Sequence, residues 1–308
     1  MRENQNLVKL DASSFEAAIF DDFGLKIKNS SRVEKGYSSQ VYKADLGEET
    51  IFIRINIDKN IFEAEEIAYK LFEEKGIPVP RIITYQENPP SLGYPTIIMS
   101  KAVGKTIKES NLSEEDIDAI YEEIGRLLKK IHEIKLDGFG SLIVKDNELI
   151  GKFQSWKQHC EFHSEYNTKS LIYAHENNFI TDIEVAKIKE IYQEVNSLNL
   201  GRASFLHRDI HQGHLFVEGP HITGIIDLGA IMAGDPRYDI AMALVFAVDP
   251  RRQECIKRGY GDLANDPMVC KHMLTIVVRK IFFRTREEIK GKIEPLITVL
   301  KQCFEEVK

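Results

Sequence analysis

The sequence is short of several things, and each shortage closes off a class of function. Cysteine is scarce: Cys160, Cys255, Cys270 and Cys303 lie far apart, with no CxxC pair. That pattern gives no zinc knuckle, and in a chain of 308 residues it reads as reduced thiols, not a disulfide framework. Long apolar runs are missing. The longest, Ile240 to Val248, falls far below the roughly 20 residues that cross a bilayer. The opening MRENQNLVKL lacks the apolar core of a leader. A cytoplasmic protein with no membrane partner is expected. An excess of positive charge is also missing, since 41 Lys and Arg face 48 Asp and Glu, a net charge of −7. No surface that tracks nucleic-acid phosphates is expected. Nothing in the pattern calls for an obligate protein partner.

What is present is an ordinary globular balance, 43% hydrophobic and 29% charged, in a chain long enough for two lobes. Ser13 and Ser14, followed by Phe15, Ala18 and Ile19, predict a short first helix. Val33 leads through Gly36-Tyr37-Ser38-Ser39 to Val41 and Ala44, a strand–glycine–strand pattern. Ile51, Ile53, Ile55 and Ile57 alternate as a third strand does. A charged amphipathic helix over 60–75 closes at Gly76 and Pro78, and two strands, Val79–Tyr85 and Pro95–Met99, flank the turn-rich ENPPSLGY. The character then changes. Ser113 and Asp116 form a capping box before apolar positions at helical spacing to 134. Further helical patterns cover 152–177, 181–197, 238–248 and 268–308, with one central hairpin, Leu215–Val217 and Ile222–Ile226. The expectation is an α+β chain with a strand-rich first third and a helix-rich remainder.

The chemistry concentrates in His207-Arg208-Asp209-Ile210-His211-Gln212-Gly213-His214 and, after the hairpin, Ile225-Ile226-Asp227-Leu228-Gly229. Phosphoryl transfer needs a carboxylate to poise the acceptor hydroxyl, ligands for a metal on the nucleotide phosphates, and cations or backbone amides to hold those phosphates. A carboxylate at Asp209 with a metal ligand five residues on, at His214, is one half of such a site. A second carboxylate, Asp227, at the end of the next hairpin is the other. The glycine after Asp227 is expected to let the backbone turn sharply there.

The block resembles the protein-kinase set HRDxxxxN…DFG. It resembles still more the aminoglycoside phosphotransferase family, with HGDLHxxN…IDxG followed by GDPxxDLA, here Gly234-Asp235-Pro236-Arg237-Tyr238-Asp239-Ile240-Ala241. The likeness spans roughly residues 30–250. It implies a protein-kinase-like two-lobe fold: an antiparallel nucleotide-binding lobe over 1–101 and a mainly helical lobe over 102–308. It implies ATP or GTP as phosphate donor, Mg²⁺ at Asp227 and His214, and Asp209 as the catalytic carboxylate. It places Gly36, Ser38 and Ser39 at the phosphates, and Arg54, paired with Glu65, in the place of the kinase lysine. Met99, Ser100 and Ala102 fall on the interlobe hinge, with Phe52 and Ile226 on either face of the base. His132, His207, Asp235 and Asp239 take bracing roles. Glu63 and Glu66 lie close enough to compete with Glu65 for Arg54.

Two departures stand out. His214 replaces the usual Asn, as the resemblance implies for macrolide phosphotransferases, and Arg54 replaces Lys. Zinc readings of the histidines are set aside, because His159-Cys160-Glu161-Phe162-His163 is not HExxH and the other histidines belong to the kinase pattern. A protein kinase is set aside too, because Asp227 to Gly234 is too short for an activation segment. The acceptor expected first is an aminoglycoside, held by acids such as Glu161, Glu165, Asp249, Glu254 or Asp262. Macrolides come next, then choline, homoserine or a sugar. A nucleotide-binding pseudokinase is the alternative of another class.

Overall fold

The computed structural model describes residues 10–33, 39–287 and 293–307. The fold begins with α1 (Ala12–Phe23), capped by Asp11, whose carboxylate accepts from Ser14 N at 2.8 Å, and closed by Gly24 at φ 69°. Five strands follow: β1 (Asn29–Val33), β2 (Gln40–Asp45), β3 (Thr50–Ile55), β4 (Ile82–Gln86) and β5 (Thr96–Ser100). They form one antiparallel sheet in the order β1-β2-β3-β5-β4. Strand alternation sorts β3 into two faces. Ile51, Ile53 and Ile55 are wholly buried against Phe15, Ala18 and Ile19 of α1, while Phe52 and Arg54 face the other way. The expected strand runs one residue pair too far: β3 ends at Ile55, and Ile57 is 52% exposed.

Between β3 and β4 lies α2 (Lys59–Glu74), closed by Gly76 at φ 63° with Ile77 N bonded to Phe72 O at 2.8 Å. Its apolar face, Ala68, Tyr69 and Phe72, joins the core of the helical part and not that of the first sheet. After β6 (Lys105–Thr106) comes α3 (Glu114–His132), with both bonds of the Ser113–Asp116 capping box present.

The stretch 135–153 departs from expectation. It forms β7 (Lys135–Leu136), β8 (Phe139–Lys145) and β9 (Glu148–Phe153), the last two joined at Asp146 and Asn147, both at positive φ. Asp and Asn tolerate that region better than other non-glycine residues, which permits the tight turn. The expected helix over 152–177 starts later and breaks at His163 into α4 (Trp156–Phe162) and α5 (Ser164–Glu176). Then come α6 (Asp182–Asn196), β10 (Ala203–Leu206), β11 (Leu215–Glu218), β12 (His221–Ile225) and β13 (Met232–Gly234). A second five-stranded sheet, β7-β10-β13-β8-β9, and a three-stranded one, β12-β11-β6, therefore stand where a single hairpin was expected.

The chain ends in α7 (Pro236–Ala247), α8 (Pro250–Tyr260), α9 (Pro267–Arg286) and α10 (Glu294–Glu306). No helix among the described residues is long and apolar enough to cross a membrane. Helices α7, α8 and α9 each begin Asp-Pro, with the aspartate as cap. At Gly125 and Gly259, α3 and α8 approach backbone to backbone: a Cβ on Gly125 would lie 2.2 Å from Ile256 O.

Candidate active site

A cavity of about 380 Å³ lies between the first sheet and the β11–β12 hairpin. Phe52 and Arg54 reach it because β3 turns its isoleucines the other way. Phe52 pairs in register with Met99 across β5, so both enter from the sheet side. Ser100 and Ala102 line the wall where the chain leaves β5. Ser100 is pinned by two bonds to Arg81: its N to Arg81 O and its Oγ to Arg81 N, both 2.9 Å. Opposite, Ile226 sits half-buried, its N bonded to His214 O at 3.0 Å. The result is a mostly apolar slot, a shape suited to a flat heteroaromatic ring.

The inner end of the cavity is charged. Arg54 bonds to both carboxylate oxygens of Glu65, Nη2 to Oε1 at 3.3 Å and Nη1 to Oε2 more closely, and Nη2 lies 3.5 Å from Ser39 Oγ. Glu65 is 1% exposed. Neither Glu63 nor Glu66 takes its place; Glu66 pairs with Lys70. Burial works against the Arg54 charge, but Glu65, Asp227 and Tyr69 outweigh it and the guanidinium's pKa rises. One helical turn on from Glu65, Tyr69 accepts a bond from Asp227 N at its hydroxyl, 3.2 Å. Burial would raise the Asp227 pKa, but Arg54, His214 and His207 bring it below the usual carboxylate range.

Asp227 itself adopts the left-handed conformation, φ 67° and ψ 68°. The expected glycine role is therefore displaced: Gly229 does not make the sharp turn, but leaves room. A Cβ there would lie 3.3 Å from Asp227 Oδ1 and 3.4 Å from Glu65 Oε1.

The loop before β11 supplies the other carboxylate. Asp209 N bonds to His207 Nδ1 at 3.2 Å, and Asp239 accepts from His207 N at 2.8 Å and Arg208 N at 2.7 Å. Asp239 is in turn held by His132 Nε2 at 3.1 Å. This clamp maintains Arg208 at φ 68°, a conformation that non-glycine residues seldom adopt. His214 stands between the two carboxylates. Its Nδ1 is 3.0 Å from Asp209 O and 3.3 Å from Asp209 Oδ2, and its Nε2 is 3.5 Å from Asp227 Oδ2. Carbonyl oxygen only accepts, so Nδ1 carries the proton and Nε2 is the atom turned to Asp227. A ring lone pair facing a carboxylate needs a cation or a second proton between them, and the donor set of Asp227 and His214 fits a metal ion on those terms. Among the described residues, Asp209, His211 and His214 also place ligand atoms within 4.8 Å of one another.

On the far side of Asp209, His211 stacks on His214 with ring centroids 3.8 Å apart and lies 5.0 Å from Phe246. Lys280 of α9 rests on Phe246, Nζ 4.0 Å from the ring centroid. The acids proposed for a polycation do not gather here. Glu161, Glu165 and Glu254 each pair with a lysine of their own helix. Asp249 caps α8, and Asp262 lies exposed in the short 3-10 turn that follows it.

Of the residues singled out in the sequence, Ser39, Phe52, Arg54, Met99, Ser100, Ala102, His214, Ile226 and Asp227 line this cavity. Glu65 stands behind Arg54, and Asp209 beside His214. Gly36 and Ser38 lie outside the described residues. Tyr69, Phe216 and Lys280 were not foreseen. The i,i+4 spacing from Glu65 could have found Tyr69, and strand alternation from His214 could have found Phe216.

Comparison with known proteins agrees with this fold. A family model described as "Phosphotransferase enzyme family" matches residues 30–268. The hygromycin-B 4-O-kinase of Escherichia coli is 21% identical over 288 residues, covering 89% of this chain and 80% of that protein. A ternary complex of a thermostable mutant of an aminoglycoside phosphotransferase with ADP and hygromycin B superposes with a TM-score of 0.72 at 18% identity, over 96% of this chain and 98% of that one. Spectinomycin phosphotransferase in complex with ADP and spectinomycin gives 0.66 at 15% identity, over 97% and 99%.

Proposed function

Because the chain belongs to the phosphotransferase enzyme family, we propose that it moves the γ-phosphate of ATP or GTP to a hydroxyl of a small polar molecule, with Asp209 poising that hydroxyl. The observation that carries the reading is His214 set between Asp209 and Asp227 at the charged end of the cavity. Residues 1–101 form the nucleotide lobe in this reading, and 102–308 the acceptor lobe. Phe52, Met99 and Ile226 enclose the base, with main-chain groups at Ser100 and Ala102 on its edge. Gly36, Ser38 and Ser39 contact the phosphates, and Arg54, kept in place by Glu65, supplies positive charge to them. Asp209 accepts the hydroxyl proton as the acceptor oxygen bonds to phosphorus, and the bond to the leaving nucleoside diphosphate breaks with its electron pair. Mg²⁺ held by Asp227 and His214 would neutralise charge on the phosphates. His132, Asp239 and His207 act as positioning residues for the loop.

The named relatives support an aminoglycoside as the acceptor, ahead of a macrolide or a metabolite such as choline, homoserine or a sugar. Four buried cysteines, none in a disulfide, support a cytoplasmic setting. Slow nucleotide hydrolysis without acceptor is expected from the native chain and should fall below detection in Asp227→Ala. Nucleotide binding with neither hydrolysis nor transfer to any acceptor would instead make it a pseudokinase. Resistance tests with aminoglycosides and macrolides in a susceptible host separate antibiotic acceptors from metabolites.

A further inference from the structure

The chain has more acids than bases, yet the part of α9 that reaches the catalytic loop is cationic. Lys280 is half-buried, its ammonium over Phe246, and Phe246 packs on His211, whose Nε2 is 3.9 Å from Asp209 Oδ2. Arg279, its neighbour, stacks on Tyr166 at 5.3 Å. Among the described residues neither Lys280 nor Arg279 forms an ion pair; Lys280 lies over Phe246, and Arg279 lies over Tyr166 beside His159 and His163. Burial and the charges of Arg284, Arg208 and Arg279 bring the Lys280 pKa down to about 8, although Asp209 acts to raise it. A half-buried cation with no carboxylate within ion-pair distance, Asp209 acting on it only from farther off, is disfavoured in the free protein. It repels a polycation and attracts an anion.

We propose that the acceptor phosphorylated at Asp209 carries an anionic group, a carboxylate or a phosphate, and that Lys280 binds that group, with Arg279 adding to the field. This rests on the phosphotransferase reading and replaces the aminoglycoside that the named relatives support with an acceptor of the opposite charge.

The test uses acceptors that differ in charge: neutral sugars, the matching sugar carboxylates and phosphomonoesters, and polycationic aminoglycosides. Transfer of labelled γ-phosphate is measured with the native chain and with K280M, K280R and K280E. The native chain should favour an anionic acceptor by at least about tenfold in kcat/KM, the size of a charge-assisted contact. Whether carboxylate or phosphomonoester is preferred identifies the group. K280M should lose the preference through KM, K280R should keep it, and K280E should turn it towards the aminoglycosides. Retention in K280R separates loss of charge from loss of fold. A native preference for aminoglycosides would overturn the proposal. So would an equal drop in kcat for every acceptor in K280M, which would put Lys280 on the transferred phosphate, and so would transfer to no anionic acceptor. If nucleotide hydrolysis still depends on Asp227 in that last case, the phosphotransferase reading stands and the acceptor proposal alone fails.

Discussion

His214 is the residue at which this chain leaves the commoner pattern, and its position explains how it can do so. Asp209 fixes the ring through Nδ1, leaving Nε2 towards Asp227. An imidazole so oriented can ligate a divalent cation, although Mg²⁺ prefers oxygen. We therefore expect His214→Ala to raise the Mg²⁺ concentration for half-maximal turnover by about ten- to a hundredfold. His214→Asn should recover most of that loss. A titration of turnover against free Mg²⁺ reads both, and an unchanged midpoint in His214→Ala would remove His214 from the metal site. The closeness of Asp209, His214 and Asp227 was legible because the three sit within one loop and the hairpin that follows it. Lys280 was not. It meets the site through Phe246, a ring on another helix, and no local spacing records that contact. The left-handed backbone at Asp227 was also hidden, because the adjoining glycine motif suggested the wrong residue for the turn.

At the level of elements, α7 is tied to its surroundings by two buried aspartates of the Gly234–Ala241 block. Asp239 holds the loop that carries Asp209. Asp235 caps the helix and joins His272 Nε2 at 3.1 Å and Arg237 Nη2 at 2.9 Å. Burial alone would raise the Asp235 pKa, but bonds from His272 and Arg237 more than offset it and bring it down from 3.8 to about 2. The folded state thus resists protonation where the unfolded chain accepts it. Asp235 contributes its full stability above about pH 4, and the contribution fades as pH falls towards 2. Its size is on the order of 2 kcal/mol. Denaturant midpoints between pH 5 and about pH 2 should fall less steeply in Asp235→Asn, and equal slopes would refute the assignment. Elements with strong periodicity or caps, such as α1, α2, α3 and β3, were legible. The β8–β9 hairpin was not, because its strands bury only scattered positions and Gly138, Gly140 and Gly151 interrupt the apolar pattern. Gly151 is needed for close packing, since its Cβ would lie 2.1 Å from Phe139 N.

For the whole molecule, two cores of different size lie on opposite faces of the first sheet, and the cavity opens on the face away from the small one. The small one lies between α1 and the first sheet. The large one takes in α2, the second sheet, α3 and the helices after it. Because α2 belongs to the large core, Glu65 and Tyr69 fix the charged end of the cavity relative to Asp227. The kinase-like plan was readable from the order of motifs along the chain. The acceptor side was not, because its chemistry depends on how α7 and α9 converge on one loop. The most direct measurement is turnover and nucleotide affinity in Asp209→Ala. Phosphate transfer should fall below detection while nucleotide binding stays within about twofold, since Asp209 acts on the acceptor and the cavity wall is unchanged. Full transfer by Asp209→Ala would contradict the account at its centre.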